Sequence, residues 1–252
     1  MRTLSIVIPA YNEARFITTL LERVVAVPTQ KAGFKKEILV VDDGSKDETF
    51  ALAESFAKNF DGTASGDVIR VFKQVPNQGK GKAVQRGIRE STGDFVLIQD
   101  ADLEYDPADY LPMLKALPEN GENVAVYGSR TLGQAKEHGW LRRCPGKHEQ
   151  QGVGPWVAGL ILSSWAFTLY GRLITDTLTA YKLYPAQVLK SFTLETHGFE
   201  TDHEITAKLI RAGIRILEVP VRYLPRSREE GKKIGPKDGV IAVWTLFKYR
   251  FQ

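Results

Sequence analysis

Three carboxylates, Asp100, Asp102 and Glu104, stand at alternate positions just past the apolar run Phe95–Ile98. Like charges at that spacing repel, and they cost least when a divalent cation or a ligand's hydrogen-bond donors neutralise them. Hard oxygen ligands suit Mg or Mn rather than Zn, and a pyrophosphate bridged by the metal is the natural third partner. A solvated acidic turn is the plain alternative. A second acidic pair, Asp42 and Asp43, closes the run Glu37–Val41 and opens the turn signal Asp42-Asp43-Gly44-Ser45. If both runs are strands of one parallel sheet, both clusters project from the same edge, where ligands bind in open α/β folds. A nucleoside's ribose and base would hydrogen-bond at one cluster while metal-bridged phosphates sit at the other.

The elements that must position these groups follow from pattern. Phe95–Ile98, bounded by Gly93 and Pro107, is too short for a helix and reads as a buried strand. Upstream, Leu4–Ile8 reads as a first strand ended by Pro9. Asn12 is the expected N-cap of a helix over Glu13–Val25, with Phe16, Ile17, Leu20, Leu21 and Val24 at helical spacing. A strand over Glu37–Val41, a helix over Asp47–Asn59, a strand over Val68–Phe72 and a helix over Lys80–Ser91 follow. Strands alternating with helices predict an α/β fold with a parallel sheet and right-handed crossovers. No G-x-G-x-x-G follows the first strand, so this is not the dinucleotide-binding pattern. Gln78-Gly79-Lys80-Gly81-Lys82 resembles a phosphate loop but lacks the Walker A spacing, and a solvated turn is its alternative.

At 252 residues, 43% hydrophobic and 25% charged, the chain fits one large globular domain or a domain with an appendage. The start, MRTLSIVIPAYNE, suits a first strand better than a signal peptide. The single cysteine, Cys144, excludes an internal disulfide and fits a reducing compartment; beside Arg142 and Arg143 it reads as an ordinary thiol. The net charge of +4 hides an asymmetry: the chain is mildly acidic up to Arg130 and distinctly basic beyond it. A basic half suits nucleic acid, anionic lipid or a phosphorylated substrate, but no nucleic-acid module is present, so no nucleic-acid partner is expected. Four histidines without close pairing make no zinc site. His197 and His203 read as bystanders, and His138 and His148 fall in a Gly- and Lys-rich loop.

The segments IVIPAYNEA, VVDDGSKDET, NQGKGKAVQRGI and GDFVLIQDADLEYDP, in this order, resemble the family 2 nucleotide-sugar glycosyltransferases of GT-A fold. More narrowly they are similar to the polyprenyl-phosphate branch, which includes the dolichyl-phosphate mannose synthases. The resemblance runs from about Thr3 to about Gly239. It implies a Rossmann-like, mostly parallel sheet flanked by helices, with acceptor-side helices toward the C-terminus. Residues 1–238 would form the GT-A domain, with a nucleotide-sugar half over 1–130 and an acceptor half over 131–238. By the same resemblance Pro9, Tyr11, Glu13, Val41 and Asp43 line the nucleotide, and Asp100, Ala101 and Asp102 contact the diphosphate. Asp102 is a metal ligand, with Glu104 as the second where such synthases often carry Gln. Arg130 contacts the donor. Ile174-Thr175-Asp176 with Tyr181-Lys182 resembles an acceptor-side segment, although Ala180 stands where Gly is usual. Gly198-Phe199-Glu200 and Glu204 resemble the start of the family's acidic helix; alone, two glutamates four apart on one helix face more often stay solvated. Arg226 and Lys232 match a pair directed at phosphates, in a basic, glycine-bearing loop that itself suits an anion.

Residues 151–171 hold no charge and are long enough to be a transmembrane candidate. They are rich in Gly and Ser, however, and precede Asp176, which should reach the sheet edge. Trp156, Trp165 and Tyr170 are aromatics that favour an interface. The segment reads as one helix partly packed on the domain and partly touching lipid, with an ordinary core helix as the alternative. Residues 239–252 read as a second interfacial helix. The resemblance thus implies an inverting, Mg- or Mn-dependent transfer of a hexose from a nucleotide sugar such as GDP-mannose or UDP-glucose. The acceptor would be a polyprenyl or dolichyl phosphate, and the protein would sit peripherally on the cytoplasmic face of a membrane. A hydroxyl acceptor served by Glu200, Glu204 or Asp176 as base, and a non-catalytic nucleotide-sugar-binding subunit, are the other readings.

Overall fold

The computed structural model describes residues 1–118, 123–138, 153–225 and 236–252. The first half alternates as β1 (Arg2–Ala10), α1 (Ile17–Ala26), β2 (Phe34–Asp42), α2 (Thr49–Asn59), β3 (Val68–Lys73), α3 (Lys80–Glu90) and β4 (Phe95–Ile98). The second runs α4 (Tyr110–Lys115), β5 (Val124–Ser129), α5 (Arg130–His138), α6 (Val153–Tyr170), β6 (Lys182–Pro185), α7 (Ala186–Ser191), α8 (Thr201–Arg211), β7 (Arg215–Pro220) and α9 (Pro236–Phe251). One seven-stranded sheet has the order β3-β2-β1-β4-β6-β5-β7. The sheet is parallel except at β6, which runs antiparallel to both β4 and β5.

Side chains alternate across a strand, so each strand feeds two cores. Leu4, Ile6 and Ile8 of β1, Ile38 and Val40 of β2, and Phe95 and Leu97 of β4 meet Leu20, Leu21 and Val24 of α1 and Met113 of α4 on one face. Val7, Leu39, Val96 and Ile98 meet Val84 and Ile88 of α3, Leu189 of α7 and Ile205 and Leu209 of α8 on the other. A third cluster joins Leu162 and Ala166 of α6, Ala207 of α8, and Ala242, Leu246 and Tyr249 of α9.

The sheet is the mostly parallel one expected, β6 being its antiparallel strand. Two starts also move. Helix α1 begins at Ile17 rather than Glu13, because Asn12 adopts a left-handed φ of 55° and its side chain accepts the N–H of Lys46, not one of the helix. The Gly- and Lys-rich stretch holding His138 begins as helix, with His138 ending α5; His148 lies outside the described residues.

Candidate functional site

Strand β1 has β2 on one side and β4 on the other, so the winding reverses between β1 and β4. The carboxyl ends of strands flanking such a reversal form the ligand crevice of an open α/β sheet. Here those ends carry Tyr11–Glu13, Asp42–Ser45 and Gln99–Glu104. Pro9 and Val41 are register partners on β1 and β2; both are buried, as is Ala101, so they form the floor of this edge. The two loops above them are tied together. Asn12 N–H donates to Ser45 Oγ at 2.9 Å, and the N–H of Glu13 donates to Thr49 Oγ1 at 2.8 Å. Tyr11 is half-buried in the same loop.

Asp43 is fully engaged. Its carboxylate accepts Gln74 Nε2 at 2.9 Å and the main-chain N–H groups of Gln78 and Gly79 at 2.8 Å each. This fixes the loop resembling a phosphate cradle. The N–H of Gly81 is also taken, by His197 O at 2.7 Å, and a Cβ on Gly81 would lie 2.1 Å from Thr201 Oγ1. The glycines therefore let α3 pack against the start of α8, and the N–H groups of Gln78, Gly79 and Gly81 are not left open for an anion. What the loop does deliver is Lys80. Its ammonium lies 2.6 Å from Asp100 Oδ1. Burial pulls the Lys80 pKa down, but Asp100, Asp202 and Asp102 outweigh it and hold it above the ordinary lysine value.

Beyond Asp100 the chain turns tightly. Asp102, 7% exposed, accepts the N–H of Glu104 at 3.1 Å. Glu104 Oε2 accepts the hydroxyl of Tyr223 at 2.8 Å, and Glu104 O accepts the N–H of Leu224 at 2.8 Å. An antiparallel bridge pairs Tyr105 with Tyr223. Among the described residues no group of three or more His, Cys, Asp and Glu side chains forms a ready-made cation cage. Two hard carboxylates on one turn nonetheless fit Mg or Mn, which are commonly held by one or two carboxylates plus substrate phosphates and water.

Arg130 opens α5 and forks onto Asp176, with Nε to Oδ2 at 2.7 Å and Nη2 to Oδ1 at 2.8 Å; its guanidinium lies 4.9 Å from the Tyr223 ring centre. Burial pushes the Asp176 carboxyl up, but the Arg130 charge and hydrogen bonds override it and hold the pKa below the usual carboxylate range. Glu218 of β7 fastens the preceding residue, accepting Thr175 N–H at 2.9 Å and Thr175 Oγ1 at 2.8 Å. Burial raises the Glu218 pKa against those bonds.

The acidic helix α8 departs from the sequence reading. Glu204 is fully buried and accepts Thr196 N–H at 2.9 Å, Thr196 Oγ1 at 2.6 Å and Lys208 Nζ at 2.6 Å. Glu200 accepts the N–H of Gly198 at 3.1 Å and so braces its own turn. Asp202, between them, lies near enough for its charge to act on Lys80 and on the fully buried Lys182 of β6. Lys182 Nζ reaches Thr177 O at 3.4 Å and Asp202 O at 3.5 Å and lies 4.9 Å from the Tyr127 ring centre. Burial lowers its pKa, and the Asp202 and Asp176 carboxylates only partly offset that.

The structure thus brings Lys80, Asp100, Asp102, Glu104, Arg130, Asp176 and Asp202 to one edge. Arg226 and Lys232 lie outside the described residues. Sequence reasoning passed over Asp202 and Glu218. For Asp202 the available signal was the i,i+4 pair Glu204–Lys208, which marks Glu204 as structural and leaves the neighbouring aspartate.

This sheet order, with acidic side chains at the strand ends beside the winding reversal, is an α/β architecture of GT-A type, shared with solved glycosyltransferases. Glucosyl-3-phosphoglycerate synthase of Mycobacterium tuberculosis superposes with a TM-score of 0.64 at 19% identity, covering 99% of this chain and 80% of that one. Mannosyl-3-phosphoglycerate synthase of Rubrobacter xylanophilus gives 0.66 at 18% identity, covering 98% and 72%. The chain belongs to glycosyl transferase family 2, whose profile matches residues 5–170. It is 28% identical to the dolichol-phosphate mannosyltransferase of Pyrococcus furiosus, over 97% of this chain and 61% of that protein. It is also 28% identical to the undecaprenyl-phosphate 4-deoxy-4-formamido-L-arabinose transferase of Edwardsiella ictaluri, over 90% of this chain and 62% of that protein. The chain therefore spans somewhat less than two thirds of the length of these relatives.

Proposed function

We propose that the protein moves a hexose from a nucleotide sugar to a polyprenyl phosphate at a membrane surface, inverting the anomeric carbon. The observation that carries this choice of acceptor is the state of the carboxylates. A hydroxyl acceptor needs a general base. Of the three carboxylates nominated for that task, Glu204 is locked in a buried hydrogen-bond cage, Asp176 is forked by Arg130, and Glu200 braces its own turn. A phosphate acceptor is already ionised near neutral pH and needs positioning rather than deprotonation. The resemblance to lipid-phosphate sugar transferases supports the same reading.

In this reading the loops after β1 and β2 hold the nucleoside, with Tyr11 and Glu13 beside it and Asp43 shaping its pocket through the 74–79 loop. Asp100 and Lys80 form a fixed ion pair on the diphosphate side. Asp102 and Glu104 would hold a divalent cation, Mg or Mn, which would supply Lewis-acid stabilisation of the departing nucleoside diphosphate. Mn accompanies UDP in a structure of the M. tuberculosis synthase of like fold. Arg130, braced by Asp176, lines the donor side, and Arg226 with Lys232 orients the acceptor phosphate.

The test is one incubation of purified protein with Mg or Mn, labelled GDP-mannose or UDP-glucose, and a polyprenyl phosphate, followed by partition into organic solvent. Metal-dependent label in the organic phase, lost in Asp102→Ala, is the expected result. Nucleotide release without lipid-bound label overturns the lipid-phosphate acceptor and turns attention to Asp202 as base toward a hydroxyl.

A further inference from the structure

Helices α6 and α9 are sewn together side by side. Trp165 Nε1 donates to Val243 O at 3.1 Å, Tyr170 Oη to Leu246 O at 2.6 Å, and Arg250 Nε to Leu169 O at 2.7 Å. The aromatics read from sequence as an interfacial belt therefore do other work: Trp165 and Tyr170 turn toward α9, and the Trp156 side chain lies outside the described residues. One stripe of each helix is buried, Leu162 and Ala166 on α6 and Ala242, Leu246 and Tyr249 on α9. The opposite stripe is apolar as well. On α6 it exposes Leu160 at 50%, Ile161 at 55% and Phe167 at 52%; on α9 it exposes Val240 at 71%, Trp244 at 61% and Phe251 at 71%. Leu160 and Phe167 stand seven apart, and Val240, Trp244 and Phe251 four and seven apart, so each stripe follows one helical face. Stacked rings at Trp165–Phe247 and Trp244–Phe247 join the two stripes, and a cleft of about 420 Å³ lined by Leu160, Ile161 and Val243 opens between them. Contiguous exposed apolar surface of this kind marks a partner or a membrane.

Charge selects between these. Exposed Lys237 lies along the α9 stripe, Arg250 stands beside it, and Arg172 follows the end of α6, whereas Lys248 is paired with Glu195 at 2.9 Å. The sole acidic residue of α9 is Asp238, and α6 has none. Aromatic and aliphatic side chains rimmed by cations are the composition of a helix lying in the interface of an anionic leaflet. A second copy docking through the same face would bring two basic rims together. Among the described residues no helix is long and apolar enough to cross a membrane. The helix pair is also anchored next to the site: Leu178, two residues beyond Asp176, packs against the buried cluster that joins α6 and α9.

We propose that the outer face of α6 and α9 docks on a bilayer leaflet containing anionic phospholipid and thereby holds the mouth of the site at the lipid surface. This gives the membrane association of the acceptor reading a surface, and rests on that reading for its purpose. The test is co-sedimentation of the full chain with phosphatidylcholine vesicles, with and without phosphatidylglycerol. Binding is expected with the anionic vesicles and to weaken with salt. Ile161→Glu and Trp244→Glu, both at exposed positions, should each lower the partition coefficient about tenfold or more, through lost apolar contact and added repulsion. Lys237→Gln should lower it about fivefold, the worth of one cation near an anionic surface. Circular dichroism melts confirm that each variant folds. A wild-type chain that stays in the supernatant, or variants that sediment as well as wild type, overturn the docking surface. So does a sedimentation-velocity dimer dissolved by Trp244→Glu in a protein that ignores vesicles. Vesicle binding without transfer to a polyprenyl phosphate leaves the docking surface standing and removes the acceptor reading. Transfer to a short, water-soluble prenyl phosphate by a protein that binds no vesicle does the reverse.

Discussion

Asp43 Oδ2 accepts the main-chain N–H of Gly79 at 2.8 Å, so a carboxylate expected to line a nucleotide is employed in building the wall of the pocket. Its other oxygen holds Gln74 and Gln78. Asp43→Asn keeps one acceptor oxygen but sets an amide N–H₂ against the Gly79 N–H. Leaving a buried donor unsatisfied costs about 1–3 kcal/mol, so Asp43→Asn should lose that much stability in urea unfolding and raise the donor KM as the loop loosens. An unchanged midpoint with a raised KM would instead make Asp43 a direct ligand.

Tyr223 gives a second test, of the cation site. Its hydroxyl orients Glu104 at 2.8 Å, and groups that orient a metal ligand typically matter about 10–100-fold in metal affinity. Tyr223→Phe should therefore raise the Mn concentration that half-saturates donor binding by about tenfold, with little change in saturated turnover. A titration that overlays wild type would remove either Glu104 from the ligand set or Tyr223 from its support.

These two cases show what the sequence made legible. The strand–helix alternation was readable because Leu4–Ile8 and Phe95–Ile98 are short, apolar and bounded by breakers, which is a local property. The reversal at β6 was not, because Lys182–Pro185 is a short strand whose direction is set by the path of the chain around the sheet. Residue types at the site were visible, but their employment was not. Nothing local distinguishes Asp43, bonded to a loop some 30 positions away in sequence, from a carboxylate left open for a ligand. Asp202 escaped for the same reason, standing between two glutamates that match a motif while its own charge acts on Lys80.

The Arg130–Asp176 pair carries a stability prediction. Asp176 is buried and Arg130 half-buried, so removing one partner leaves a largely uncompensated charge at a cost of about 3 kcal/mol, the lower end of the range for buried pairs. Asp176→Ala should show that loss in denaturant unfolding. Arg130→Lys should fall well short of rescue, since an ammonium cannot reproduce the two-pronged contact.

His203 sets a pH dependence. Burial, with the Lys182 charge nearby, holds its pKa down at about 3 against an ordinary value of 6.5. The unfolded chain therefore binds more protons than the folded one between those values, and stability falls as pH drops through that window by up to about 1.4 kcal/mol per pH unit. Above 6.5 the group contributes no slope. His203→Gln removes the titration, so its unfolding free energy should decline more shallowly than wild type between pH 6.5 and 4.5, whatever its absolute stability. Parallel declines would assign the acid sensitivity to other groups.

The acidic helix offers the sharpest separation of roles. Glu204 is caged by Thr196 and Lys208, whereas Asp202 acts on the cations beneath the crevice. Glu204→Gln replaces one acceptor oxygen with an amide that opposes Lys208 or Thr196. It should lower stability by about 1–3 kcal/mol while the surviving folded protein keeps its kcat. Asp202→Asn leaves that cage untouched but removes a negative charge acting on Lys80 and on the buried Lys182, so it should lower the unfolding midpoint as well. Its distinguishing effect is in turnover: the altered field on the Lys80–Asp100 pair should change kcat more than donor binding. Paired unfolding and steady-state measurements on the two variants decide the matter. A stable but inactive Glu204→Gln would return the catalytic role to the glutamate that the motif suggested.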